Sequence, residues 1–185
     1  MKQVTLVLAL ALSAPTFAMD RIVEEFGQAP AYPNIASAVA ASVDGDRIII
    51  KNRAGNIPWI ENIAINKSLE FLSFANDDFF YVQGNYTVTG ATDRVVNIVS
   101  MRNTSGSIIF GSGGGVRATT VRIMDSYFVN GIIDMEDNNV QADIVGCTLI
   151  NGSVSINYGN VVGCVIDASQ TTDEGISITG TASGF

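Results

Sequence analysis

The sequence predicts an all-β fold whose strands coil into a parallel β-helix, and three observations carry that expectation. The first is a short repeat. Residues 121–178 read as three lines: Ile123-Met-Asp-Ser-Tyr-Phe-Val-Asn-Gly, then Ile144-Val-Gly-Cys-Thr-Leu-Ile-Asn-Gly, then Val161-Val-Gly-Cys-Val-Ile-Asp. Ser126, Cys147 and Cys164 share one column, at steps of 21 and 17 residues, and Phe128, Leu149 and Ile166 share another. A self-similar period of strand and turn is the signature of stacked repeats. The second observation is a train of short strands from Ile60 onward: Asn62–Ile65, Leu69–Phe74, Phe79–Val82, Tyr86–Val88, Val95–Met101, Ser107–Phe110 and Thr120–Ile123. Asn, Gly, Asp and Ser fill the gaps and no helical pattern interrupts, which argues all-β. The third is register. The columns align from line to line and the lines are joined by polar Asn-Gly bends, which a sandwich or barrel of antiparallel hairpins does not require.

In a coil of this kind like residues stack along the axis. Ser126 and Phe128 with their successors are expected inside. Tyr127, Thr148 and Val165 are expected outside, with Arg122 over Asp143 as an exposed pair worth about 0.2–1 kcal/mol. Asn130 stacks over Asn151 at a bend, where Asn tolerates left-handed backbone.

Taken in order, the chain opens with Lys2, a nearly unbroken apolar run over Val4–Ala14, and Pro15-Thr-Phe-Ala18. These are the parts of a secretory signal peptide over residues 1–18, with cleavage after Ala18 and Met19 first in the mature chain. The run falls short of the roughly 20 residues that cross a bilayer, and no later run is longer. The expected location is secreted, extracellular or periplasmic. Residues 19–33, with Pro30 and Pro33, read as an irregular lead-in. Asn34–Ser42 reads as a capping helix, with Asn34 as N-cap and Ile35, Ala38 and Val39 on one face. A turn at Val43–Asp46 leads to a strand at Arg47–Lys51 and a loop over Asn52–Trp59. Rungs then fill 46–180. Terminal coils of a solenoid need a cap, and Thr179–Phe185 supplies none by pattern, so the rungs are expected to continue beyond Phe185.

The formal charge is −8, and −9 once residues 1–18 and their Lys2 are removed. Such an acidic chain argues against nucleic acid and anionic lipid as partners. It offers no broad basic groove for an acidic polysaccharide, although a local cluster is compatible with the composition. Histidine is absent, which excludes Ser-His-Asp and Cys-His sites and His-ligated metals and leaves oxygen-ligated calcium. Cys147 and Cys164 lie on consecutive rungs about 4.8 Å apart. They either remain free buried thiols or close a disulfide, for which that spacing is near the short limit.

The N-terminal third carries a resemblance. Ile35-Ala-Ser-Ala-Val-Ala-Ala-Ser42, Gly45-Asp-Arg-Ile-Ile-Ile50, Ala54-Gly55, Ile60-Glu-Asn-Ile-Ala-Ile65 and Lys67-Ser-Leu69 resemble the opening of pectin-lyase-like right-handed parallel β-helix proteins over roughly residues 33–180. The resemblance implies a short helix capping the open end of the coil. Asn56-Ile-Pro-Trp59 departs from the tyrosine-containing step usual there. Polygalacturonase-type, pectate-lyase-type and pectin-methylesterase signatures do not transfer. Asp77-Asp78 lacks its histidine partner motif. Arg94, Arg102, Arg117 and Arg122 lie in no lyase context, and Gln83 and Gln141 lack the methylesterase surroundings. No catalytic residue is carried over.

Local candidates remain. Asp134, Glu136 and Asp137 form an acidic patch that suits a carboxylate pair for glycoside hydrolysis, calcium ligation or ordinary turn chemistry. Trp59 and Tyr127 are candidates for stacking on a glycan, Tyr127 being the aromatic that the repeat points outward; Tyr81, Tyr86 and Tyr158 are weaker ones. Gly111-Ser-Gly-Gly-Gly115 lacks the Lys-Ser/Thr of a phosphate loop and reads as a turn. The expected function is an exported, non-catalytic β-helix scaffold: a surface, adhesion or glycan-binding segment whose partner is a polysaccharide or cell surface. The alternative is the N-terminal part of a pectin-lyase-like lyase or hydrolase with its catalytic rungs downstream.

Overall fold

A computed structural model describes residues 18–74, 78–90, 93–112, 118–169 and 175–178. The apolar leader up to residue 17, Asp77, residues 113–117 with Arg117, and the tail 179–185 lie outside the described residues. The chain forms a parallel β-solenoid of about 5 turns with three faces. The first sheet has seven strands: Asp20–Val23, Arg47–Ile50, Leu69–Ser73, Arg94–Val99, Thr119–Met124, Val140–Val145 and Gly159–Val162. The second has six: Trp59–Ile60, Phe80–Gln83, Met101–Asn103, Tyr127–Val129, Thr148–Ile150 and Val165–Asp167. The third also has six: Ile63–Ile65, Tyr86–Thr89, Ile108–Ser112, Ile132–Met135, Ser153–Ile156 and Ile176–Ile178. Among the described residues no helix is long and apolar enough to cross a membrane.

Each strand pairs only with its counterpart one rung away. Side chains alternate across the sheet with period two, so residue-for-residue pairing stacks them into columns. On the first sheet Ile48, Phe71, Ile98, Ile123, Ile144 and Val161 form one inward column. On the second, Val82, Asn103, Phe128, Leu149 and Ile166 form another. Phe128 and Leu149 are fully buried and Ile166 packs on them. Burying each large apolar side chain contributes about 1.5–3 kcal/mol. Asn103 is the polar member of its column. Its side-chain amide donates to the Gly84 carbonyl at 2.9 Å and its oxygen accepts from Ser105 N–H at 3.3 Å. Cys147 is a buried free thiol and Cys164 a half-buried one. Their sulfurs lie 3.5 Å from the carbonyls of Ile123 and Ile144, one rung back. Burial pushes the Cys147 thiol up to about 12.

Two of the three corners of each rung follow a regular pattern. Between the first and second sheets one residue bends the backbone. Ser100, Asp125, Gly146 and Gly163 occupy this column with φ of 58°, 48°, 65° and 63°. Between the second and third sheets the bend places Gly84, Gly106, Gly131 and Gly152 on top of one another. A Cβ at Gly106 would lie 2.2 Å from the Gly84 carbonyl oxygen, one at Gly131 2.0 Å from that of Gly106, and one at Gly152 2.3 Å from that of Gly131. Asn130 and Asn151, at φ 51° and 53°, precede two of these glycines, and the Asn151 amide donates to the Asn130 side-chain oxygen at 3.1 Å.

The helix spans Ile35–Ala41, with Asn34 capping it through the Ser37 N–H at 2.8 Å. Seven residues are too few to be helical alone. Ile35, Ala38 and Val39 are buried in the core, and the next rung holds both helix ends. The Glu61 carboxylate accepts the N–H groups of Ile35 and Ala36 at 3.0 and 2.8 Å. The Lys67 ammonium donates to the carbonyls of Val39, Ala40 and Ser42 at 2.8, 3.0 and 2.7 Å. Negative charge at the N-terminus and positive charge at the C-terminus are the favourable senses of the helix dipole.

Two expectations are corrected. The lead-in 19–33 is not irregular throughout: Asp20–Val23 is the first strand of the first sheet, paired with Arg47–Ile50. The loop before Ile60 ends earlier than expected, because Trp59 already belongs to the second sheet opposite Val82.

Three outcomes test this account. Gly131→Ala forces a methyl into the Gly106 carbonyl, so the urea midpoint should fall by the equivalent of about 3 kcal/mol. Lys67→Met removes three hydrogen bonds from a charged donor and should cost about 1–3 kcal/mol, with circular dichroism reporting loss of the helix. Tyr86 is fully buried and its hydroxyl has no partner among the described residues, so Tyr86→Phe should leave stability unchanged or raise it by about 1 kcal/mol in thermal unfolding.

Candidate binding face

The acidic patch lies on the outer side of the third sheet and the turn that follows. Asp134 stands outward in a column with Thr87, Ile109, Ser155 and Ser177. Its Oδ1 accepts the Glu136 N–H at 3.2 Å, and Asp137 Oδ1 accepts the Asn139 N–H at 2.7 Å and the Asn139 side-chain amide. Glu136 Oε1 accepts from the Ser177 hydroxyl at 3.3 Å. These carboxylates close a turn, the role Asp and Asn take wherever a side chain bonds backbone two residues on. Among the described residues no group of three or more His, Cys, Asp or Glu is placed to hold a metal ion.

Trp59 is not placed to stack on a glycan. It heads the inward column that continues through Val82, Asn103 and Phe128, and is 6 % exposed. Its indole N–H donates to the Lys51 carbonyl at 3.1 Å, and the Arg53 guanidinium lies 5.5 Å from its ring centroid. An aromatic residue at the start of a rung falls on either side of the strand, and here the pleat takes it inside.

Tyr127 does point outward, and it has company. One-to-one pairing stacks Tyr81, Arg102, Tyr127, Thr148 and Val165 into a single column on the outer face of the second sheet. The Arg102 guanidinium lies between the two rings, 5.6 Å from the Tyr81 centroid and 4.7 Å from that of Tyr127. Cation–π contacts contribute about 0.5–1 kcal/mol at exposed sites and up to about 2 when desolvated. All three side chains are half-buried.

Arg102 differs from most cations on this molecule. Arg21, Arg47, Lys51, Arg53 and Arg122 each pair with a carboxylate, respectively Asp46, Asp20, Glu24, Glu25 and Asp143. Lys67 serves the helix and Arg94 donates to the Thr89 carbonyl. Among the described residues no carboxylate pairs with Arg102. A guanidinium held between flat rings keeps its fork of N–H donors oriented. It suits a carboxylate or sulfate. Tyr81 and Arg102 were each visible as residue types in the sequence, but not as neighbours. The signal that joins them is the Arg102 step itself: Tyr81 lies 21 residues before it and Tyr127 lies 25 after.

The chain has no histidine, and the Cys147 thiol is buried and held protonated by that burial.

Comparison of the chain with protein-family models, with curated proteins and with solved structures returned no match, so the parallel β-solenoid is established by its own strand pairing and the pectin-lyase-like resemblance stays one of sequence pattern.

Proposed function

We propose that this chain is an exported, non-catalytic β-solenoid scaffold that binds an acidic glycan on the outer face of its second sheet. The observation that carries the reading is the Tyr81–Arg102–Tyr127 column, where a cation with no carboxylate partner among the described residues lies between two rings on a regular surface. The acidic surface elsewhere favours a local contact over a long basic groove, because each extra phosphate- or uronate-rich stretch would meet like charge. The leader-like residues 1–18 support export to where polysaccharides are met.

A second reading has one observation in its favour. Among the described residues the inward columns through Val154 and Ile156 reach as far as Ile176 and Ile178, which are 47 % and 37 % exposed. Further rungs would cover them, as in the N-terminal part of a longer lyase or hydrolase. That reading places its chemistry on rungs that follow.

Affinity electrophoresis separates the possibilities. The protein should be retarded in gels containing polygalacturonate and not in gels containing neutral dextran. Arg102→Ala should abolish the retardation, Tyr127→Ala should weaken binding about tenfold, equivalent to about 1.4 kcal/mol, and Arg122→Ala should change nothing. Equal mobility of the wild type in both gels would overturn the glycan-binding reading. Release of unsaturated or reducing ends from polygalacturonate would overturn the non-catalytic one.

A further inference from the structure

The first rung contains a charge cluster around Asp46, the one fully buried carboxylate among the described residues. Arg21 stands opposite Ile48 and so heads the inward column that is apolar from Ile48 onward. A charge there needs a partner, since a buried unpaired ion is costly. The partner is Asp46, which is 0 % exposed. Its Oδ2 accepts from Arg21 Nε at 2.8 Å and from the Val43 N–H at 3.0 Å. Arg21 also donates to the Tyr32 hydroxyl at 3.0 Å. Burial alone would raise the Asp46 carboxyl, but the N–H groups of Val43 and Met19 and the Arg21 guanidinium bring it below its usual value.

The other oxygen of Asp46 is taken by the chain's own backbone: Oδ1 accepts from the nitrogen of Met19 at 2.9 Å. The Met19 carbonyl accepts the Arg47 N–H at 2.9 Å, so strand pairing begins at this residue. Ala18 and Met19 are exposed. Two independent observations therefore meet at one peptide bond. The sequence marks Ala18–Met19 as the leader cleavage point, and the fold directs the nitrogen of that same bond at a buried carboxylate.

We propose that hydrolysis of the Ala18–Met19 bond by a leader peptidase creates a structural ion pair between the new Met19 α-ammonium and Asp46. Water adds across the amide. The Ala18 carbonyl carbon takes the oxygen and leaves as the carboxylate of the released leader. The Met19 nitrogen keeps its strand position and becomes –NH3+. An amide N–H bond to Asp46 thus becomes a charge-assisted one, the shorter and stronger kind. The Arg21 guanidinium repels the new charge but bonds the opposite oxygen, so the direct contact dominates. The carboxylate then ties the first residue of the mature chain to the turn before the second strand, and processing locks the N-terminal rung.

The inference rests on the export reading, and the test separates the two. The exported protein is isolated, its N-terminus is read by mass spectrometry, and acylation of its α-amine by an activated ester is followed in native and urea-unfolded protein. The expected result is a chain beginning at Met19 whose native amine titrates above the usual range of about 7.7–8.0. A rise of one unit leaves about tenfold less free amine, so native acylation should be at least tenfold slower than in urea. Asp46→Asn, where it folds, should restore the usual titration. A Met19 terminus that reacts equally in both states overturns the ion pair and leaves export standing. An exported chain that begins elsewhere does the same. Retention of residues 1–18 inside the cell overturns both.

Discussion

At the corner between the second and third sheets, a backbone carbonyl of each rung lies against the α-carbon of the next, closer than any side chain permits. Gly84, Gly106, Gly131 and Gly152 make that approach possible. The contact sets how far one rung is displaced from its neighbour and leaves no freedom to slip by a residue. Every other regularity depends on that register. A one-residue shift in a strand would turn its whole inward set to solvent, and the Ile48-to-Val161 and Val82-to-Ile166 columns would be lost together. The outer columns share the same dependence. Arg102 lies between two tyrosines because the rungs are in step, with no local motif bringing the three side chains together.

The register also organises charge. On the first sheet the outward column runs Asp20, Arg47, Glu70, Asn97, Arg122, Asp143, Asn160. No two like charges are adjacent in it, and like charges directly opposite are destabilising. Most exposed ion pairs of this sort are worth little in isolation. Their larger effect is to leave few cations for anything else, and this gives the Arg102 column its distinct character on an acidic molecule.

Much of this was legible in residues 121–178, for a physical reason. The rungs from Val121 to Asp167 are joined by short, polar bends, so residues that stack in space also align on the page. Phe128 over Leu149, Arg122 over Asp143 and Asn130 over Asn151 could all be read directly. Earlier rungs are harder, because loops of different length separate Tyr81 from Arg102 and Arg102 from Tyr127, and they hide Gly84 and Gly106 from the glycine column in the same way. The strand at Asp20–Val23 escaped notice because its partner is 27 residues on and prolines follow it closely. Trp59 illustrates a different limit. Residue type says that an aromatic ring carries a large apolar surface, but the side of the strand it takes is decided by pairing with Val82.

The two charges that hold the helix have a consequence for the timing of assembly. Glu61 lies 26 residues after Ile35, and Lys67 lies 28 after Val39. As the chain emerges from a ribosome or a translocation pore, N-terminus first, the helix segment arrives well before either anchor. Its seven residues cannot hold helical shape until the following rung has been laid down. The N-terminal end is therefore sealed only when the following rung, with Glu61 and Lys67, is in place. Each later rung packs chiefly on its immediate neighbours, so the helix is the element that most needs a residue of a later rung to hold its shape.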